Sequence, residues 1–389
     1  MNAMPPLQRF DDITVVPLSE LSRHVGCGGP VWPDFDAQTA PRHCRDGKPV
    51  DRCPEATEPL EKVEEPAVWG GILDLQFGHL VSEHMTRLPQ SMAERPDDIC
   101  LFAIKPGVDA AALPDWVGQA LDWYGVPKAR RRVVTVPLRV ARLSVAAQGE
   151  TLGWQRTEAA YLDLLDRNTA RNGLTVDPCP VVYVSRAGLL RLGQGGHAGE
   201  TYLGEVLMQV GVKVVDPARL SILDQCAVYA GAQVLVFAEG SAMHGRQLLG
   251  RVAQDIHVLR RRPNRDIGLS QLAPRCRDLR FHAAAGKQLG VQMPGGGMRY
   301  DLAPAFYDLD VVFGLFADLG FDLARHWDQD AYLASVAADL RGWFARCRTT
   351  PEQVLRNLEL IAAAGVSLEP AATPNGKSRS HGRFAELKG

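Results

Sequence analysis

The stretch "VLVFAEGSAMHGRQLLG", Val234 to Gly250, gathers several chemistry-bearing residues into one corner. A strand-like apolar run ends at Glu239. Gly240 and Ser241 then open the next element, with His244 close behind. Backbone N–H groups at a helix start lack partners and attract phosphate without a basic side chain. Glu239, at the strand end, is placed to accept hydrogen bonds from hydroxyls of a ribose or another sugar. The corner holds neither GK[ST] nor GxGxxG, which disfavours a nucleotide triphosphatase and a nicotinamide dehydrogenase.

Three further places carry chemistry. "VYVSRAGL" ends a strand at Ser185 and Arg186. An arginine there can grip a phosphate with both arms of its fork, although a solvated arginine is the plainer reading. A glycine-rich loop with a histidine leads to a helix whose first turn holds Glu200. That carboxylate either caps the helix dipole or binds a hydroxyl. In "FGHLVSEHMTRL", a helix over Phe77 to Leu88 lines His79, Glu83 and Arg87 along one face at four-residue spacing. A histidine and a carboxylate on one stripe can act as a general base and its orienting partner. The alternative is a surface pair of Glu83 with Arg87 beside a partly buried histidine.

The elements that must hold these residues read as alternating strands and helices. "AVWGGILDLQFGHLVSEHMTRL" reads as a glycine turn and a helix, "ICLFAI" as a strand, and "AALPDWVGQALDWYG" as a helix ended by Gly125. "PVVYVSR", "VKVVDP", "QVLVFA" and "DIHVLRR" read as strands separated by helices, one of them opened by a capping-box-like Ser221 and Asp224. Near-continuous apolar strands alternating with helices imply an α/β, doubly wound parallel sheet. Ligands bind beyond the carboxyl ends of such strands, which is where the three later corners lie. The expected organisation is an irregular N-terminal arm over 1–60 and an α/β domain over 61–174. A Rossmann-like domain over 175–315, helices over 316–372 and a flexible tail over 373–389 follow.

The chain has 389 residues, 46% hydrophobic and 23% charged, with a net charge of −2. This balance argues against a nucleic-acid partner. No run of about 18 apolar residues marks a membrane span, and the first residues do not read as a signal peptide. Eight scattered cysteines with no CxxC are expected to be reduced thiols in a cytoplasmic protein. Cys27, Cys44 and Cys53, with His24 and His43, have no zinc-ligand spacing. "DLDVV", with Asp308 and Asp310, is a weak metal motif outside the main stretches.

Taken in order, "FGHLVSEHMTRL", "VYVSR", "GETYLGEVL" and "VLVFAEGSAMHG" resemble the motifs of the family 61 glycosyltransferases, over roughly residues 67–260. Phe237, Glu239 and Gly245 depart from the family's usual corner, where glycine, histidine and asparagine respectively are common. The resemblance implies a GT-B-like fold, with two Rossmann-like domains facing a cleft and helices at the C-terminal end. It also implies inverting transfer from a nucleotide-sugar donor to a glycan or lipid-linked glycan acceptor. His79 or Glu83 would be the base. Ser185, Arg186, Glu200, Glu239, Gly240, Ser241 and His244 would hold the donor. No metal or other cofactor is expected, because the helix start and Arg186 neutralise the diphosphate. The expected setting is bacterial surface polysaccharide synthesis in the cytoplasm, with peripheral contact at the inner membrane face where the acceptor is lipid-linked. The alternatives are a non-catalytic nucleotide-sugar or glycan-binding scaffold, for which the altered corner speaks, and a sugar-nucleotide epimerase-like enzyme.

Overall fold

A computed structural model describes residues 4–153, 155–263, 265–293 and 295–369. Its first sheet holds seven strands: β1 (Gln8–Ser22), β2 (Val25–Pro30), β3 (Glu61–Val63), β4 (Ala67–Leu73), β5 (Ile99–Ile104), β6 (Arg131–Val133) and β7 (Leu138–Val145). Their order is β2-β1-β7-β4-β5-β6, with β3 pairing the first half of β7 and β4 its second half. From β7 to β6 the strands are parallel; β1 and β2 add an antiparallel hairpin at one edge. The arm over 1–60, whose texture suggests irregular chain with a short strand or two, carries a longer hairpin than that reading expects. Its first 30 residues supply two strands, one of them 15 residues long. The polar and proline-rich texture that hides them is that of an edge hairpin, which needs only one buried face.

"AVWGGIL" is also a strand rather than a turn, and all seven of its residues are buried. The glycine pair is a bulge, where the register against β5 shifts between Trp69 and Gly71. A Cβ at Gly71 would meet the His84 carbonyl at 2.6 Å, so glycine there lets the strand lie directly under the residues of the candidate site.

The second sheet matches the parallel reading. It comprises β8 (Cys179–Val184), β9 (Lys213–Val215), β10 (Ala232–Ala238), β11 (Asp255–Leu259) and β12 (Asp278–His282), all parallel, in the order β9-β8-β10-β11-β12. Strand order reverses between β8 and β10. Ser185 and Arg186 follow the first of these strands, and Glu239 and Gly240 the second, so both flank the switch point where open sheets bind ligands.

The chain is mixed α/β, and the two sheets share one core, although the other face of the first sheet packs a cluster of its own around Ile13, Val15, Leu101, Val140 and Leu143. Val68 and Phe102 of the first sheet share one buried cluster with Val182, Leu235 and Phe237 of the second, through the helices Asp115–Trp123, Ala159–Asn172 and Ile222–Gly231. A second core joins the outer face of the second sheet to helices Leu309–Asp318, Gln329–Phe344 and Pro351–Ala362. After β12, two short strands, Ala285–Gln288 and Ala305–Tyr307, pair with each other, and the second also pairs with His197–Ala198. Asp308 caps the next helix, accepting from the Val311 amide at 3.3 Å, and Asp310 lies in its first turn; "DLDVV" is a helix start. No helix among the described residues is long and apolar enough to cross a membrane. The tail over 373–389 lies outside the described residues.

Candidate active site

The helix carrying His79 is shorter than its sequence stripe. It runs over Phe77–Ser82, and Glu83 ends it with φ −130° and ψ −61°. A 3-10 turn over His84–Arg87 and a new helix over Leu88–Glu94 follow. Pro89 has no N–H for the Met85 carbonyl and clashes with it, which disfavours one continuous helix and suits the first turn of a new one. The break keeps His79 and Glu83 together and swings Arg87 away. Arg87 is buried and donates to the carbonyls of Arg42 and Ala146, not to Glu83. The surface ion pair of Glu83 with Arg87 is thereby excluded.

Glu83 is fully buried and is the hub of the site. Oε1 accepts from His79 Nδ1 and from Arg45 Nη2 at 3.2 Å. Oε2 accepts from Arg45 Nε at 2.8 Å and His43 Nε2 at 3.1 Å. Burial alone would raise the carboxyl's pKa. The hydrogen bonds from His43, His79 and Arg45 outweigh it and hold the group well below the usual carboxylate range. A carboxylate so firmly ionised and so fully engaged is a poor proton acceptor and a good anchor. His79, with about a quarter of its side chain exposed, faces the cleft. Since the carboxylate only accepts, His79 Nδ1 carries a proton, and in the neutral ring Nε2 is the lone-pair nitrogen.

His24, His43 and Arg45 all come from the arm and were not among the candidates read from sequence as site residues. His24 stacks on His79 and bonds Asp74; His43 stacks on the buried His84, with centroids 4.6 Å apart. Burial, together with the charge of His43, pulls His84 down to about 3, so its imidazole is neutral. His43, Glu83 and His84 bring ligand atoms within 4.8 Å of one another, the one such trio among the described residues. The Arg45 guanidinium on the same carboxylate fits a hydrogen-bonded cluster better than a dication. Cys27, Cys44 and Cys53 form no knot with these histidines; all eight cysteines are free.

Across a cavity of about 480 Å³ from His79 lie Gly240, which precedes the 3-10 helix Ser241–Leu248 that follows β10, and Ser241 and His244 within that helix. The two walls touch because Gly78 has no side chain: a Cβ there would come within 2.9 Å of His244 Cδ2. Gly240 is extended, with φ 169°, so what demands glycine is space. A Cβ would sit 1.9 Å from Arg186 Nη1, which lies over the corner. Burial pulls His244 down to about 4, with nearby His79 adding to the effect, and Nδ1 has no hydrogen-bond partner among the described residues.

The two acids assigned to hydroxyls are both engaged elsewhere. Glu200 is buried and its Oε1 accepts from Tyr183 OH, Ser185 Oγ and the Arg186 amide, at 2.9, 3.1 and 2.6 Å. Glu239 is fully buried. Oε2 accepts from the amides of Arg261 and Arg262 at 2.8 and 3.1 Å, and Oε1 from Arg262 Nε at 2.6 Å. Neither lines the cavity. Each holds a loop: Glu200 the strand end at Ser185 and Arg186, Glu239 the segment after β11.

What that second clamp presents is Arg262, which lines the cavity together with Arg45 and Arg265. Arg186 and Arg261 stand behind it, donating to the carbonyls of Gly195, Tyr300 and Asp301. Burial and then the charges of Arg262 and Arg186 pull Arg261 down to about 9, so the three guanidinium groups repel one another. An anion at the corner would relieve that repulsion.

A comparison with known families matches residues 77–246 to the Glycosyltransferase 61 family, from the helix that holds His79 to the corner at Gly240. No curated protein matches the chain.

Proposed function

We propose, from a chain that carries a glycosyltransferase 61 domain over residues 77–246, that the protein moves a sugar from a nucleotide-sugar donor to a glycan hydroxyl with inversion. The observation that carries this reading is the His79–Glu83 pair facing Gly240, Ser241 and Arg262 across one cavity. Inversion in one step needs a base for the acceptor hydroxyl on one side and charge neutralisation of the leaving diphosphate on the other. His79 Nε2 is the base, and Glu83 fixes its tautomer and stabilises the imidazolium that forms. The amides at Gly240–Ser241 and the Arg262 guanidinium meet the diphosphate, with Arg186 and Ser185 shaping the corner beneath. His244 lines the cavity as a neutral ring beside the donor. This arrangement neutralises the leaving group without a metal. The acceptor, a glycan or lipid-linked glycan, approaches from the side of the first sheet. We place the reaction in the synthesis of a bacterial surface polysaccharide, in the cytoplasm or at the inner membrane face.

Calorimetry with uridine, guanosine and cytidine diphosphates tests the donor half. Binding of one of them, weakened at least tenfold by Arg262→Ala, is expected; no heat from any of the three counts against a nucleotide-sugar site. Turnover of the matching nucleotide sugar by the wild type, lost in His79→Ala, separates a transferase from a binding scaffold. Release of the nucleoside diphosphate with the sugar appearing on the acceptor hydroxyl separates it from an epimerase that keeps sugar and nucleotide joined.

A further inference from the structure

The turn joining β1 to β2 is two residues long, Arg23 and His24, between the paired Ser22 and Val25. Both hold positive φ, 49° and 63°. Such a hairpin turn favours Asn-Gly, which adopts this conformation at little steric cost. Arg-His is strained there, and strain of this kind collects at functional sites. Each residue of the turn is tied to the His79–Glu83 pair. The Arg23 carbonyl accepts from Arg45 Nη2 at 3.2 Å, and the same guanidinium holds Glu83. The His24 ring lies flat on the His79 ring, with centroids 3.6 Å and planes 11° apart. His24 Nδ1 bonds Asp74 Oδ2 at 2.7 Å. Asp74 accepts from the Gln76 amide at 2.8 Å, at the start of the helix that carries His79. Carboxylate, stacked ring and helix thus close a loop of contacts around the base.

We propose that His24, backed by Asp74, is a positioning residue that holds the His79 ring with Nδ1 on Glu83 and Nε2 toward the cavity. The inference rests on the reading of His79 as the base. An imidazole's second side-chain torsion is broad and roughly two-fold, so one hydrogen bond leaves the ring free to rock about it. A flat partner on its face removes that freedom. The hairpin is then part of the active site, although it lies outside the span matched to the family.

The test reads the ring directly and needs no donor. Protein labelled with ¹⁵N-histidine is examined at pH 8 by two-bond proton–nitrogen correlation, with the His79 signals identified by their loss in His79→Gln. In the wild type, His79 shows a protonated Nδ1 and an unprotonated Nε2 with sharp lines. His24→Ala averages or broadens that pair. His24→Phe, which keeps the stacked ring, restores it in part, and His24→Asn, which keeps only the polar end, does not. An unchanged His79 pattern in folded His24→Ala overturns the proposal; where that variant does not fold, Asp74→Asn and His24→Asn supply the same comparison. In turnover, His24→Ala lowers kcat at least tenfold with donor KM within twofold. If His79→Ala leaves transfer intact while the ring pattern responds as expected, the base assignment fails and the positioning stands.

Discussion

Glu83 accepts four hydrogen bonds from three side chains, in the absence of solvent. Glu83→Gln removes the charge those donors converge on. Transfer should fall by about 10⁴-fold, the order expected when the carboxylate that sets a catalytic histidine's tautomer becomes an amide, and folding should lose on the order of 3 kcal/mol for a broken buried pair. Denaturant titration beside turnover measures both. Glu239→Gln should weaken nucleotide diphosphate binding about tenfold although the carboxylate never lines the cavity, because its loss frees Arg262; calorimetry reads the effect, and unchanged affinity would remove Glu239 from the donor site. At this scale the sequence was legible where partners are close along the chain. His79 and Glu83, four apart, could be paired from helical spacing. Arg262, Arg45 and His24 could not, since Arg262 is 23 residues from Glu239, Arg45 is 38 from Glu83 and His24 is 55 from His79, and no local pattern marks them. The same blindness gave Glu200 and Glu239 ligand roles, since their buried protein partners are fixed by tertiary structure.

Among elements, corners were read better than boundaries. Long apolar runs defined β8, β10 and β11, and their polar ends fell at the switch point as the parallel-sheet rule requires. Helical spacing over 77–88 gives no sign of the break at Glu83; Pro89, six residues on, is the one local feature against a continuous helix. The glycine pair in "AVWGG" reads as a turn from sequence, since a bulge and a turn look alike until the partner strand is known. Gly240 tests how tightly the corner is built. Gly240→Ala should displace Arg186, with a Cβ 1.9 Å from Nη1 where no side chain fits. Diphosphate binding should weaken by at least tenfold with little change in melting temperature, since the strand ahead of it is untouched. Equal affinity in the variant would show that the corner can yield.

For the whole molecule, acid sensitivity follows from burial. His84 and His197 are pulled to about 3 and His244 to about 4, in each case chiefly by burial. A folded value below the ordinary histidine value near 6.5 means that the unfolded chain binds more protons between the two. The associated stability is complete above about pH 6.5 and is lost as pH falls toward the folded values. Glu83, also depressed, adds its loss below about pH 4.5. Melting temperature should be flat between about pH 7 and 8 and drop steadily between pH 6.5 and 4; a flat profile from pH 8 down to pH 5 would contradict the burial of the three rings. The shared core makes a second expectation. Arg275 and Glu150, both nearly inaccessible, are joined at 2.9 Å between the two halves of the fold. Arg275→Met strands the carboxylate and should cost about 3–5 kcal/mol in a single calorimetric transition, where independent domains would give two.

The long β1 has a consequence for synthesis. One of its edges pairs with β2 at once, but the other waits for β7, which ends more than 100 residues later. At about 5–20 residues per second, the ribosome leaves that edge bare for several seconds or more, and a bare strand edge is a template for the wrong partner. The strained Arg-His turn then cannot find His79, Glu83 and Arg45 in place until β7 has emerged and the first sheet has closed. Yield in cells should therefore respond to chaperone supply and to translation speed between residues 30 and 145 more than to the melting temperature of the finished protein.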